Sequence, residues 1–228
     1  MPASPTIFRF HYFAIGAIAL LQFSCASSPA TFRIIEKPIR WDATREALSL
    51  KYLKERHGLE KITPTIDPKM VVVHWTAISS VELTFEVFDP VTLGGRADLT
   101  GASNLNVSSQ FLIDRDGTIF RLLPDTTFAR HVIGLNYLAI GIENVGGPEA
   151  PLTKAQLNAN EKLIRHLKRK YPIDYVIGHH EYQKFQKTDL WKEVDPNYRT
   201  VKSDPGDSFM VKLRKNLEDL NLKPIPQL

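Results

Sequence analysis

The chain has 228 residues, of which 43% are hydrophobic, so it is long enough for one domain with extensions and too apolar to be wholly disordered. The formal net charge is +4, from 29 Lys and Arg against 25 Asp and Glu. Because these charges are spread along the sequence and form no strong basic patch, we expect no nucleic-acid partner.

The N-terminus has the pattern of an export signal. Arg9 precedes an apolar stretch over residues 12–23, which is shorter than the roughly 20 residues of a membrane span and fits the hydrophobic region of a secretory signal. The single cysteine, Cys25, follows in a sequence that resembles the lipobox of bacterial lipoproteins, although Gln22 stands where leucine is usual. We expect residues 1–25 to be a signal segment, with a lipid on Cys25 that anchors an exported protein to a membrane of the periplasm or cell envelope. The alternative is an ordinary signal or an uncleaved anchor with an incidental cysteine.

The rest of the chain alternates between helical and β-rich patterns. The clearest signals are the Asp116-Gly117 hairpin turn and the Thr153 to Gln156 capping box. Strands interspersed with helices predict an α/β fold with a single mixed central β-sheet flanked by helices. In chain order the patterns predict a linker with some extended character (26–41), a helix (42–58), a strand (70–75), a helix (79–88), a Gly-rich loop (89–106), a hairpin (108–123), a strand (137–147), a helix (153–172), a strand (174–178) and a last helix (207–220).

Polar residues stand where the apolar strands finish. His74, Glu143 and His179 each end a β-rich run, and Lys202 and Asp204 lie in the loop before the last helix. Binding sites of sheet-based domains are usually built at strand ends, so these five residues are candidates for one site.

Their chemistry would suit metal-dependent hydrolysis of an amide. Two histidines and an aspartate, namely His74, His179 and Asp204, match the three-ligand set of a catalytic zinc site with one open position. Glu143 outside the ligand shell would carry protons, and Lys202 would stabilise a developing oxyanion. Spacing alone does not decide this, because no two ligands share a short motif. A hydrogen-bonded structural histidine, a turn or cap aspartate, and a surface glutamate remain open as alternatives.

Five segments in order resemble the zinc-dependent N-acetylmuramoyl-L-alanine amidases of the amidase-2 type, which are related to peptidoglycan-recognition proteins and T7 lysozyme-like amidases. The segments are VVVHWTA, VSSQFLIDRDGTIFRLLPDTTFARHV, LAIGIENVG, VIGHHEY and KSDPGDSF. The resemblance covers roughly residues 68–220. It implies a mixed sheet with helices around it and an amidase domain over 68–222, preceded by a linker and helix over 26–67 and followed by a tail over 223–228.

The resemblance also implies roles for residues. His74, His179 and Asp204 are then the ligands of one Zn²⁺ ion, Glu143 the catalytic acid and base, and Lys202 the residue that stabilises the oxyanion. The implied reaction cleaves the amide between N-acetylmuramic acid and L-alanine in peptidoglycan or muropeptides, and we expect a monomer. Within the ARHVIGLN segment, the substrate-contact candidates are His131 and Asn136.

Two features depart from the family pattern. Gln110 occupies a position where the family commonly has a histidine, and we expect this change to affect the groove and not the metal. Residues 183–200 look inserted between His179 and Asp204, and they carry Trp191 and Tyr198 among charges. The insertion is either a flap over the substrate or a plain surface loop.

Two other functions stay open on the sequence. Some relatives bind peptidoglycan without cutting it, but they usually lack a zinc ligand, and no ligand is missing in this chain. An amidase acting on soluble muropeptides or anhydro-muropeptides is the other alternative.

Overall fold

The structure is a computed structural model, and it describes residues 1, 32–95 and 101–227. A six-stranded mixed sheet forms the centre of this described part of the chain. The strand order is β1-β4-β3-β5-β2-β6, and every neighbouring pair is parallel except the β3–β4 hairpin. The mixed sheet predicted from the sequence is therefore confirmed. The strands are β1 (Ile34–Glu36), β2 (Met70–Val73), β3 (Phe111–Ile113), β4 (Ile119–Arg121), β5 (Ala139–Asn144) and β6 (Tyr175–Gly178).

Helices cover the sheet, and their ends follow the capping signals of the sequence. In α1, the Asp42 side chain accepts a hydrogen bond from the Arg45 amide, and Gly58 ends the helix with a φ of 63°. In α3, Thr153 and Gln156 form the predicted capping box. The helices are α1 (Ala43–His57), α2 (Val81–Phe88), α3 (Lys154–Lys170) and α4 (Asp207–Asn216), with 3₁₀ helices at His179–Phe185 and Glu218–Leu220.

The central strand β2 is buried on both faces. Val71 and Val73 belong to a large apolar cluster that also contains residues of α1, α3 and α4, whereas Met70 and Val72 belong to a second cluster with Tyr182 and other residues outside those helices. Residues alternate between the faces of a strand, so a continuous apolar run such as MVVV suits a strand covered on both sides.

Several boundaries differ from the sequence prediction. Strand β1 lies in the segment predicted as a linker, and it pairs in parallel with β4 at the sheet edge. The strand predicted over 70–75 ends at Val73, and the last helix ends at Asn216, before the short 3₁₀ helix. The described residues from Phe32 onward form one compact unit, so β1 and α1 belong to the same body as the rest of the sheet.

The export prediction concerns residues 1–25, and Cys25 lies outside the described residues. Among the helices of the described ranges, none has the length and apolar character needed to cross a bilayer. The predicted segment boundaries at 25, 67 and 222 stay predictions.

Candidate metal centre

Three neighbouring parallel strands bring the predicted site residues to one edge of the sheet. β2 lies between β5 and β6 and is parallel to both. Glu143 is the fifth residue of β5, His74 follows β2 directly, and His179 follows β6 directly. Carboxyl ends of parallel strands meet at the same edge, so the three side chains converge although the sequence separates them widely.

The predicted ligands form a tight triangle of donor atoms. Nδ1 of His74 lies 3.0 Å from Nδ1 of His179 and 3.2 Å from Oδ2 of Asp204, and His179 Nδ1 lies 3.1 Å from the same oxygen. Tetrahedral ligands about 2.0–2.1 Å from zinc are separated by about 3.3 Å, so the triangle has the size that a zinc ion requires. The three residues are buried, which shields the donors from water. The residues present therefore fit the metal that the resemblance implies.

His180, the neighbour of one predicted ligand, holds the loop that carries another. Its backbone N–H donates to the Asp204 carbonyl at 3.0 Å, and its ring Nδ1 contacts the same oxygen at 2.9 Å. Its Nε2 lies 2.9 Å from a carboxylate oxygen of Asp207. Of the two adjacent histidines, His179 thus points into the donor triangle, and His180 fixes the Asp204 backbone.

Burial and mutual contacts set the protonation of the donor triangle. Burial, together with the nearby His74, lowers the pKa of His179 to about 4, so its ring is neutral near pH 7 and keeps a lone pair. Burial alone would raise the pKa of Asp204, but its close contacts with the His179 and His74 rings hold it well below its ordinary value. A neutral imidazole and an ionised carboxylate are the forms that bind a metal cation.

Glu143 is a buried carboxyl group with a free oxygen. It is 9% exposed, and its Oε2 atom is buried without a hydrogen-bond partner. Burial raises its pKa from 4.5 to about 7, with His74 and Lys202 acting in the opposite direction. A carboxyl group that titrates near neutral pH is suited to accept and return a proton.

A cavity of about 370 Å³ opens beside these groups. His74, His179, Asp204, Glu143 and Lys202 all line it, so the five predicted site residues share one space. Its other walls include Arg130, Tyr198 and Thr200. A concave site with a few convergent polar groups is the usual form of a small-molecule or substrate site.

Of the two predicted substrate contacts, His131 lies next to the His74 ring, and Asn136 holds the backbone of His131. Nδ1 of His131 lies 3.1 Å from Nε2 of His74, and its Nε2 lies 3.2 Å from the Ala139 carbonyl oxygen. Oδ1 of Asn136 accepts from the backbone amides of His131 and Val132 at 2.8 and 2.7 Å. Both residues line the cavity, and the Asn136 Nδ2 atom is buried without a partner. Their role as substrate contacts stays a prediction.

Segment 183–200, which the resemblance predicts to be an insertion, is anchored to the body of the domain. Trp191 packs so closely on Gly134 that a Cβ there would lie 2.7 Å from the indole ring, and the Lys192 amide donates to the Gly134 carbonyl at 3.0 Å. The ring of His57 contacts the Lys192 carbonyl at 2.9 Å. The segment therefore forms a packed wall of the cavity in this structure.

Arg130 and Gln110 lie near the site, and the sequence predicts no role for Arg130 and only an effect on the groove for Gln110. Arg130 is buried and donates to the Tyr198 hydroxyl at 3.1 Å, which ties the insertion to the cavity wall. Gln110 is fully buried, donates to the Thr127 carbonyl and accepts from the Gly141 amide at 2.7 Å. Gln110 is not among the residues that line the cavity. No motif singles out Arg130, since only its three-dimensional neighbours distinguish it from a surface arginine.

Comparisons with known proteins agree on the family to which this chain is similar. A family model described as N-acetylmuramoyl-L-alanine amidase matches residues 64–207. The chain is 32% identical over 83 residues to an endolysin of Enterobacteria phage K11 and 35% identical over 83 residues to an endolysin of Klebsiella phage KP32. Each of these matches covers 34% of this chain and 55% of the relative, so the chain spans about half the length of the curated relatives it matches.

Solved structures share the fold. The N-acetylmuramoyl-L-alanine amidase LysC from Clostridium intestinale URNW superposes with a TM-score of 0.51 at 21% identity, covering 84% of this chain and 99% of that chain. Bumblebee PGRP-SA gives a TM-score of 0.51 at 20% identity, covering 85% of this chain and 99% of that chain. At these identities the likeness describes the arrangement of the sheet and helices.

Proposed function

The chain belongs to the N-acetylmuramoyl-L-alanine amidase family, and from this premise we propose that it is a zinc-dependent hydrolase of the amide between N-acetylmuramic acid and L-alanine in peptidoglycan. The observation that carries the proposal is the donor triangle of His74, His179 and Asp204, which shares one cavity with the Glu143 carboxyl and Lys202. The alternative of a binding module that does not cut has less support, because the ligand set is complete and the acid–base carboxyl is present.

The residues divide the chemistry among them. His74, His179 and Asp204 would hold the zinc ion, which when bound would lower the pKa of water to about 7 and polarise the scissile carbonyl. Glu143 accepts the proton of the attacking water and returns it to the leaving amine nitrogen. Its pKa of about 7 suits both transfers, because the acid and its conjugate base are then both populated near neutral pH.

Lys202 would stabilise the negative charge that develops on the substrate. It lines the same cavity, and its positive charge lowers the pKa of Glu143, so the two groups lie within electrostatic range of each other. A fixed cation near the carbonyl stabilises the oxyanion that develops as water attacks. The half-buried lysine and the buried carboxyl would therefore work at different atoms of one substrate amide.

The test uses intact sacculi, soluble muropeptides and soluble anhydro-muropeptides as substrates for the purified full chain, with bound zinc measured on the same sample. The native protein should release stem peptides, and Glu143→Gln should reduce the rate by about 10²–10⁴-fold while keeping its zinc, because the carboxyl is not among the ligands. Full zinc occupancy with no release from any substrate would refute the enzyme and favour a binding module. Release only from the soluble substrates would assign the protein to muropeptide cleavage.

We further propose that the protein is exported and anchored by a lipid on Cys25. The support is the sequence alone, namely an apolar stretch followed by a lone cysteine in a lipobox-like context. Cys25→Ser should move the protein from the membrane fraction to the soluble fraction of the envelope. Retention of the variant in the membrane fraction would argue for an uncleaved anchor.

A further inference from the structure

We propose that His131 is a positioning residue: a hydrogen-bond chain that starts at the Ala139 carbonyl and passes through His131 presents Nδ1 of His74 to the metal as a bare lone pair. The inference rests on the metal centre of the proposed function and goes beyond it, because it assigns a residue that neither binds the metal nor faces the substrate through its ring nitrogens. This role differs from the substrate contact that the sequence suggests for the residue.

The Ala139 carbonyl, at one end of the hydrogen-bond chain, determines which atom donates in each of its hydrogen bonds. The Ala139 carbonyl oxygen can only accept, so Nε2 of His131, at 3.2 Å, carries the proton. In a neutral imidazole the other nitrogen is then an acceptor, so Nδ1 of His131 accepts from Nε2–H of His74 across 3.1 Å. Nδ1 of His74 is left without a proton, and this is the atom that points into the donor triangle.

The ring nitrogens of His131 contact one histidine ring and one backbone carbonyl, and neither partner is a carboxylate. The groups facing it are the His74 ring, which stands edge-on at 88° with 5.1 Å between centroids, and the Ala139 carbonyl.

The surrounding backbone is shaped to hold this ring. Gly141 lies in the middle of β5, and a Cβ on it would lie 3.0 Å from Cγ and Cδ2 of His131. Glycine weakens a buried strand, and its presence inside one often marks the close approach of another group. In addition, Oδ1 of Asn136 accepts from the backbone amides of His131 and Val132. The ring is therefore fixed both at its face and at its backbone.

The hydrogen-bond chain fixes the orientation of the His74 ring toward the metal. Metal-binding histidines usually donate their second N–H to a partner that fixes the ring, and loss of such a partner typically costs about 10–100-fold in metal affinity. Here the partner is a second histidine whose own orientation is set by a strand carbonyl of β5. Strand β5 thus supports the ligand carried by β2, in addition to carrying Glu143.

The first test reads the hydrogen bonds directly in the metal-free full chain, solubilised in mild detergent and ¹⁵N-labelled at histidine. NMR should show the Nε2–H form at both His74 and His131, with a scalar coupling between His131 Nδ1 and His74 Nε2 across the hydrogen bond. A proton on Nδ1 of His131, or no coupling, would overturn the proposal. This readout does not depend on catalysis or on any variant.

The second test measures zinc affinity by competition with a chelator for three variants. His131→Leu removes both hydrogen bonds and should weaken zinc binding by about 10–100-fold. His131→Gln can accept from His74 and donate to Ala139, so it should stay close to the native affinity. His57→Leu is the matched control, because His57 is also buried and bonded to one carbonyl but lies outside the metal cluster. It should bind zinc like the native chain.

The outcomes separate this proposal from the proposed function. Equal zinc affinity in the native chain and in the His131→Leu and His131→Gln variants would refute the positioning role and leave amide cleavage unaffected. Failure of the native chain to bind zinc would refute the metal centre itself, and the positioning role with it. If His131→Leu does not fold, Gly141→Ala crowds the ring without removing a donor, and it should also weaken zinc binding.

Discussion

Replacing Glu143 by Gln should change how the stability of the metal-free chain depends on pH. The native carboxyl is buried, and its pKa is raised from 4.5 to about 7. The folded chain therefore keeps a proton that the unfolded chain releases as the pH rises from about 4.5 to about 7. The contribution of Glu143 to the free energy of unfolding is therefore fully present below pH 4.5 and is lost as the pH rises from about 4.5 to about 7. It is lost because the folded state must then hold a buried charge, which burial disfavours.

The size of the effect follows from the pKa. At about 1.36 kcal/mol per pKa unit, moving the pKa from 4.5 to about 7 destabilises the folded chain by roughly 3 kcal/mol once the group is ionised. Gln has nearly the same shape and does not titrate. The free energy of unfolding of Glu143→Gln, minus that of the native chain, should therefore rise by roughly 3 kcal/mol between about pH 4.5 and about pH 8.

Urea denaturation of both chains at several pH values, with a chelator present, measures this difference. The other titrating groups are common to both proteins, so the change in the difference isolates Glu143. Glu86→Gln, which removes an exposed carboxylate on α2, controls for the lost charge and should stay within about 0.5 kcal/mol of the native chain. A difference that stays constant over the same pH range would refute the burial argument. Added zinc should reduce the difference, because a nearby cation favours the carboxylate.

Three further predictions concern the ligands, the insertion and a helix cap. His179→Ala should abolish stoichiometric zinc binding, while His180→Ala should retain zinc with weaker affinity, as measured by metal analysis after dialysis; the reverse order would show that the ligand assignment is wrong. Gly134→Ala should lower the free energy of unfolding by about 1–3 kcal/mol in urea titrations, because the residue has a φ of 75° and the new Cβ would clash with Trp191. An unchanged denaturation midpoint would mean that segment 183–200 packs loosely on Gly134. Thr153→Ala should cost about 1 kcal/mol in the same assay through the lost cap of α3, and Thr153→Ser should restore most of it.

Local signals in the sequence are enough to predict most helices and strands. Asp42, Thr153 and the Asp116-Gly117 pair each act through neighbours within a few residues, so their effect can be predicted without knowing the fold. The pairing of β1 with β4 joins residues 34–36 to residues 119–121, and no local pattern encodes that distance. For this reason the sequence predicts only a linker with extended character where β1 forms.

The site is predictable where its residues follow strands, and not where they depend on side-chain direction. Carboxyl ends of parallel strands must meet, so His74 and His179 can be placed together once both strands are recognised. The ordered resemblance adds Asp204, which spacing alone does not connect to them. The contacts of the His131 ring cannot be read from the sequence, since its partner is a ring that follows another strand. The anchoring of Trp191 on Gly134 is equally invisible in sequence.

A metal ion bound in the donor triangle would also act as a cross-link that reduces the entropy of the unfolded chain. His74 and His179 are 105 positions apart, and His179 and Asp204 are 25 apart, so an ion held by all three closes two long loops. Cross-links that close long loops reduce the entropy of the unfolded chain most. With one cysteine in its sequence, the chain has no internal disulfide to do this. Chelation would then lower the free energy of unfolding of this protein, as reduction lowers that of a disulfide-bonded one.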